Sequence, residues 1–197
     1  MRRVLVGVCL VLLGVFVVAS WLADGGQLPL FAPLVSAGTS STVIGAPSVS
    51  ASFIDRVLAA YQSPAVGLGQ ALYDEGVAAG IDPVYALAFF WHESTFGRYG
   101  WARVNHSLGN IRCSAGYACR GGYRSYATWQ AGFADWYRLI RDLYVNQLGL
   151  QTVAQIVPVY APSADHNDVQ AYIRAVEQAV TDWRAGRVTV LAAYGLL

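Results

Sequence analysis

The sequence predicts a mainly α-helical domain with a short irregular or hairpin lobe, set behind an apolar N-terminal segment and a flexible linker. Three observations carry that expectation. Apolar residues recur at helical spacing through most of the chain after Phe53. Helix start signals stand just ahead of those stripes, at Asp82-Pro83, Thr128 and Thr152. One stretch, Gly97 to Tyr126, breaks the pattern with six glycines, two cysteines and several aromatics.

Taken in order, Met1-Arg2-Arg3 precedes twenty uncharged residues, Val4 to Ala23, dominated by Val and Leu. A positive end followed by an apolar core is what the export machinery reads. Twenty such residues also suffice to span the hydrocarbon layer, which needs roughly 17–25 as a helix. Residues 1–23 are therefore expected to be a signal peptide, cleaved after Ala19, or a retained anchor. Export to the cell envelope follows from either. Residues 24–51, rich in Gly, Ser, Thr, Pro and Ala with a single charge near their start, are expected to be a tether that buries too little to offset its ordering entropy.

The folded domain is expected over residues 52–186, followed by a tail, 187–197. Its first helix carries Phe53, Ile54, Val57, Leu58 and Tyr61, and Ser63-Pro64 ends it. A second runs from about Val66 to Ala79, closed by Gly80. Asp82 caps a third, with Pro83 at its first position. From Val84 to Trp91 that helix is apolar nearly all round, which places it in the middle of a core. Thr128 caps a helix reaching about Gln147. Thr152-Val153-Ala154-Gln155 is a capping box for a short one. Asn167 or Asp168 starts a last helix to about Arg184.

The composition narrows the function classes. All 13 basic residues are arginine, so lysine-dependent chemistry such as a Schiff base or a P-loop is excluded. A net charge of +1 argues against a nucleic-acid partner. Between Ser94 and Ala134 there are five arginines and no carboxylate, which suits an anionic ligand or, equally, a solvated face. Three scattered histidines, 92, 106 and 166, and the absence of Cys-x-x-Cys give no metal site. No cofactor is called for.

Glu93 is the candidate that the residues single out. It closes the most apolar helix and is followed by glycines at 97 and 100. A carboxyl at the rim of an apolar core is desolvated and stays protonated towards neutrality, as a general acid for glycosidic cleavage must. The competing role is a structural ion pair with Arg98 or Arg103.

The ordered set His92-Glu93-Ser94-Thr95-Phe96-Gly97, Asn105-His106-Ser107-Leu108-Gly109-Asn110-Ile111-Arg112, Tyr123-Arg124-Ser125-Tyr126 and Asp165-His166-Asn167-Asp168 resembles the bacterial endo-β-N-acetylglucosaminidases of the cell-wall autolysin type, the mannosyl-glycoprotein endo-β-N-acetylglucosaminidase-like peptidoglycan hydrolases. The resemblance spans about Phe53 to Arg184. It implies a lysozyme-like fold, a sugar-binding cleft and peptidoglycan glycan strands as substrate; the chain is expected to be a monomer. Residue by residue it implies Glu93 as general acid, Tyr126 as an aromatic hydroxyl lining the catalytic subsite, and Asn105, Asn110 and Ile111 shaping the turn beside it. Read without the resemblance, Asn110 is equally a turn residue with positive φ, and Tyr126 equally a core residue whose hydroxyl meets the backbone.

Many members of that family carry a second acidic residue after the Gly-Ile turn, and this chain does not. Asp135 is the nearest candidate for a second carboxylate, with Asp165 and Asp168 farther along. Attack by the substrate's own N-acetyl group, with Tyr126 orienting it, needs none. The aromatic residues Trp91, Tyr99, Trp101, Tyr117, Tyr123, Tyr126 and Trp129 suit a glycan groove, Trp129 as a substrate-binding residue, with about half of them expected in the core.

Cys113 and Cys119, in a glycine-rich loop of an exported chain, are expected to form a disulfide, with free thiols the competing state. Three alternatives stand beside the hydrolase. A lytic transglycosylase or muramidase on the same fold also uses a Glu-Ser helix end. A cysteine peptidase built on Cys113 and His166 lacks a helix end at the thiol. A non-catalytic glycan-binding module would need no second carboxylate.

Overall fold

The computed structural model describes residues 42–191. The expected signal or anchor segment, and the first part of the expected tether, lie outside that range. The described residues form seven α-helices and one two-stranded hairpin, a mainly helical architecture.

Helix α1 (Ala51–Ala60) packs its Phe53, Ile54, Val57 and Leu58 stripe inward and lies against α2 (Gly69–Ala79). That contact is close because Gly69 has no side chain: a β-carbon there would lie 2.5 Å from the Ala51 carbonyl oxygen. Gly80 ends α2 in the left-handed conformation that glycine adopts without penalty. The helix begins three residues after the expected start at Val66, because Gly67 turns the chain at φ +87° and Asp55 Oδ1 accepts from the Gly67 and Gly69 amides.

Helix α3 (Pro83–Ser94) begins as the sequence predicts, with the Asp82 carboxylate accepting from the Val84 amide. Its residues from Pro83 to Phe90 are buried without interruption, so it runs through the centre. A short helix, α4 (Gly100–Asn105), lies inside the stretch expected to be irregular. The expected hairpin is present as β1 (Cys119–Arg120) and β2 (Tyr123–Arg124), joined by Gly121 and Gly122, both at positive φ as a two-residue turn demands.

Thr128 caps α5 (Trp129–Arg138). The helix then continues to Gln147 with π-type winding over Leu139–Gln147. In an α-helix, positions five apart diverge by about 140°; the wider winding brings Leu139 and Tyr144 to one side, where both line the cleft described below. The capping box at Thr152 and Gln155 opens α6 (Val153–Tyr160). A 3-10 turn (Ser163–Asp165) precedes α7 (Val169–Arg184), capped by Asp168 and packed along α3 and α6.

Both ends of the domain differ from expectation. Residues 42–50, expected within the tether, are strapped to the core. Thr42 bridges Thr152, Ile44 bridges Ile81, and Val43 is buried between them. Asp82 anchors this strap to α7, accepting from the Ser48 amide at 3.0 Å while pairing with Arg184 at 2.9 Å. At the other end, residues 187–191, expected as tail, fold back. Arg187 pairs with the buried Asp182, and the Leu191 amide donates to the same carboxylate at 2.8 Å.

Candidate active site

Glu93 lies on the last turn of α3, where the chain reverses sharply. Thr95, Phe96 and Gly97 all follow in the left-handed region, at φ +48°, +57° and +70°. Ser94 holds that reversal: its hydroxyl donates to the Leu108 carbonyl at 2.7 Å and accepts from the Gly97 amide at 2.9 Å. The Glu-Ser pair thus serves two tasks, one side chain entering a concavity and the next fixing the turn that aims it.

The Glu93 carboxyl is half-buried and receives a hydrogen bond from the Tyr172 hydroxyl, which donates to Oε1 at 2.7 Å. Tyr172 is itself 3% exposed and comes from α7. Burial raises the Glu93 pKa above the ordinary carboxylate value, and the Tyr172 hydrogen bond only partly offsets it. No arginine pairs with Glu93 among the described residues; Arg98 lies over the Tyr99 ring and Arg103 donates to the Arg98 carbonyl. The structural ion pair is therefore not formed.

Asn110 joins Glu93 from the second segment. It adopts φ +47°, the turn conformation foreseen, and its Nδ2 donates to the Glu93 carbonyl at 2.9 Å. Beneath it, the Tyr160 hydroxyl donates to the Gly109 carbonyl and accepts from Trp136 Nε1 at 3.2 Å. Gly109 must be glycine here, because a β-carbon would meet the Trp136 ring at 2.5 Å.

Two concavities meet at Glu93. One is a cleft of about 370 Å³ whose walls include Ile111, Arg112, Tyr144, Tyr160, Asp165 and Asn167. The other is a hollow of about 340 Å³, lined by Thr95, Tyr99 and Trp101 among others. Glu93, Asn110 and Tyr123 belong to both. A carboxyl with a raised pKa therefore borders both hollows.

The remaining expected residues are placed as follows. Ile111 lines the cleft. Asn105 does not; fully buried, it donates from Nδ2 to the Arg120 carbonyl and ties α4 to the hairpin. Trp129 packs against Gly97 and stands 4.8 Å from the His106 ring, as support behind the turn rather than in the cleft wall. Tyr126 and Asp135 are brought together, but not to Glu93. The Tyr126 hydroxyl donates to Asp135 Oδ2 at 2.5 Å, and neither residue lines the cleft or the hollow. Asp135 is also bound by Arg124 Nη1 at 2.7 Å, by Arg138, and by the Tyr117 hydroxyl at 3.2 Å. Burial pushes its pKa up, but Tyr126, Arg124 and Arg138 outweigh it and the net shift is downward. Its lone pairs are occupied, so it serves the lobe as a buried anchor.

Tyr172 is the residue at Glu93 that the sequence left without a site role, while Asp165 is one of the farther candidates for a second carboxylate. Tyr172 lies on the buried face of α7, and the need of a buried tyrosine hydroxyl for a partner is the signal that could have found it. Asp165 lines the cleft and pairs with Arg112 at 2.7 Å. Cys113 and Cys119 form the expected disulfide, with Cα atoms 5.6 Å apart. It closes the loop that carries Ser114 and Tyr117, both partners of Arg124. No protein-family model matches the chain, and no curated protein matches it either.

Proposed function

We propose that this chain is an exported peptidoglycan hydrolase of lysozyme-like fold that cleaves the β-1,4 bond after N-acetylglucosamine, with Glu93 as general acid. The observation that carries the reading is Glu93 itself: a desolvated carboxyl with a raised pKa, oriented by Tyr172, bordering two concavities. With Tyr172 donating to Oε1, the acidic proton resides on Oε2. That proton passes to the glycosidic oxygen as the bond to the anomeric carbon breaks, leaving an oxocarbenium-like centre and a carboxylate at Glu93. The carboxylate then accepts a hydrogen bond from Tyr172 at full strength, so the tyrosine stabilises the state formed during cleavage more than the one before it.

Of the candidate second carboxylates, Asp165 fits the role better than Asp135. It shares the cleft wall with Glu93, and Arg112 holds it. Its role is to activate water or to support the oxocarbenium; if the substrate's acetamide attacks instead, Asp165 is dispensable. The Cys113–Cys119 disulfide and the apolar segment at residues 1–23 support export to an oxidising compartment.

The test is incubation of the full-length protein, and of its Glu93→Gln and Asp165→Asn variants, with purified peptidoglycan, followed by borohydride reduction and mass spectrometry. The wild type is expected to yield N-acetylglucosaminitol ends and Glu93→Gln none. Muramitol or 1,6-anhydro ends would move the protein to the muramidase or transglycosylase side. Absence of any product from folded wild type would leave a glycan-binding module.

A further inference from the structure

We propose that the hollow beside α4 is a saccharide subsite in which Trp101 serves as the stacking platform for one pyranose ring, so that the glycan is gripped on both sides of Glu93. The inference rests on the hydrolase reading for its choice of ligand, and on separate observations for the site.

Trp101 and Tyr99 are among the few large apolar side chains left open to solvent, at 46% and 65% exposure, and both line one concavity. Single exposed apolar residues need no explanation, but two aromatics converging on one hollow do. Trp101 is also braced. Gly121 in the hairpin turn lies flat against its indole, so close that a β-carbon there would come within 2.3 Å of Cε2. With φ at +61°, that turn position favours glycine on backbone grounds as well. One face of the ring is thus covered by backbone and the other is free, with its orientation fixed beforehand. A pre-oriented face loses little freedom when a ligand settles on it.

The rest of the lining selects the class of ligand. Thr95, Asn110 and Glu93 add polar groups to the same lining. A pyranose has one apolar face of C–H groups and an equatorial rim of hydroxyl and amide groups, which such a mixture matches. A purely apolar ligand would leave the polar rim unpaired. Continuity with the cleft through Glu93, Asn110 and Tyr123 makes the occupant a neighbouring unit of the same chain, not a second independent ligand.

The test titrates the full-length Glu93→Gln protein with the N-acetylglucosamine pentasaccharide by calorimetry, and measures KM and kcat on peptidoglycan with Glu93 intact. Trp101→Ala is expected to weaken pentasaccharide binding roughly tenfold, and to raise KM by a similar factor with little change in kcat. Trp101→Tyr, which keeps a ring, should stay within about threefold of the parent. Trp101→Gln fills the space without an aromatic face and repeats the test should the alanine variant fail to fold. Unchanged affinity and KM in Trp101→Ala or Trp101→Gln overturns the platform while leaving the hydrolase standing. Trp101-dependent binding in a protein that never cleaves glycan supports the platform and sinks the hydrolase. A pentasaccharide that does not bind the Glu93→Gln protein overturns the platform outright.

Discussion

Replacing Asp135 by asparagine separates a buried anchor from a reacting group. The Asp135 side chain is 4% exposed and faces Arg124, whose own side chain is 11% exposed and lies 3.7 Å from the Tyr117 ring centre. Removing the negative charge leaves that guanidinium desolvated and unbalanced, a loss of about 3–5 kcal/mol for a buried pair. Arg138 contributes little to the total because it is 59% exposed, and Arg138→Gln should cost under about 1 kcal/mol. The assay is urea unfolding of the full-length chain followed by circular dichroism, near neutrality and again in acid. The folded-state pKa of Asp135 is depressed, so its stabilisation is fully present above the ordinary aspartate value and fades as pH falls through the lowered one. The gap between wild type and Asp135→Asn must therefore narrow on acidification. A gap below about 1 kcal/mol near neutrality, or one that widens in acid, refutes the anchor. Full stability with turnover abolished would make Asp135 a reacting group.

Two further outcomes follow from the site and its support. Tyr172→Phe removes the hydrogen bond that partly offsets the burial of Glu93, so the pKa of Glu93 rises further; the alkaline limb of the pH–kcat/KM profile should move to higher pH, with kcat down about tenfold, and an unmoved limb would separate Tyr172 from the acid. Gly132→Ala places a β-carbon 2.1 Å from the His106 carbonyl oxygen, backbone against backbone. Overpacking of that kind costs about 1–3 kcal/mol, and an unchanged unfolding midpoint would show that α5 and the His106 turn can part freely.

What the sequence disclosed, and what it withheld, divides by distance along the chain. Asp82-Pro83, Gly80, Thr128 and the Thr152–Gln155 box act on their immediate neighbours, and each appears where the local rules put it. Glu93 stood out for the same reason, since it closes the helix whose residues are buried from Pro83 to Phe90. The strap at 42–50 was not, because its Gly, Ser and Pro content reads as loop and its burial depends on two single-residue bridges to distant segments. Helix α4 is six residues long and too short to show a period. Choosing between Asp135 and Asp165 required knowing that Arg124 and Tyr126 turn inward to the first while the second borders the cleft. Nothing in the spacing of carboxylates encodes that choice.

The partner of Glu93 stands 79 residues downstream, on the last helix of the domain. A polypeptide emerging from synthesis or from translocation presents Glu93 long before α7 exists to cover it. Until then the carboxyl has no Tyr172 hydroxyl to accept from, and the side of α3 that α7 covers stays open to water. The surroundings of Glu93 are therefore complete only when the C-terminal helix docks, and a chain that ends before Val169 lacks the tyrosine that orients the carboxyl.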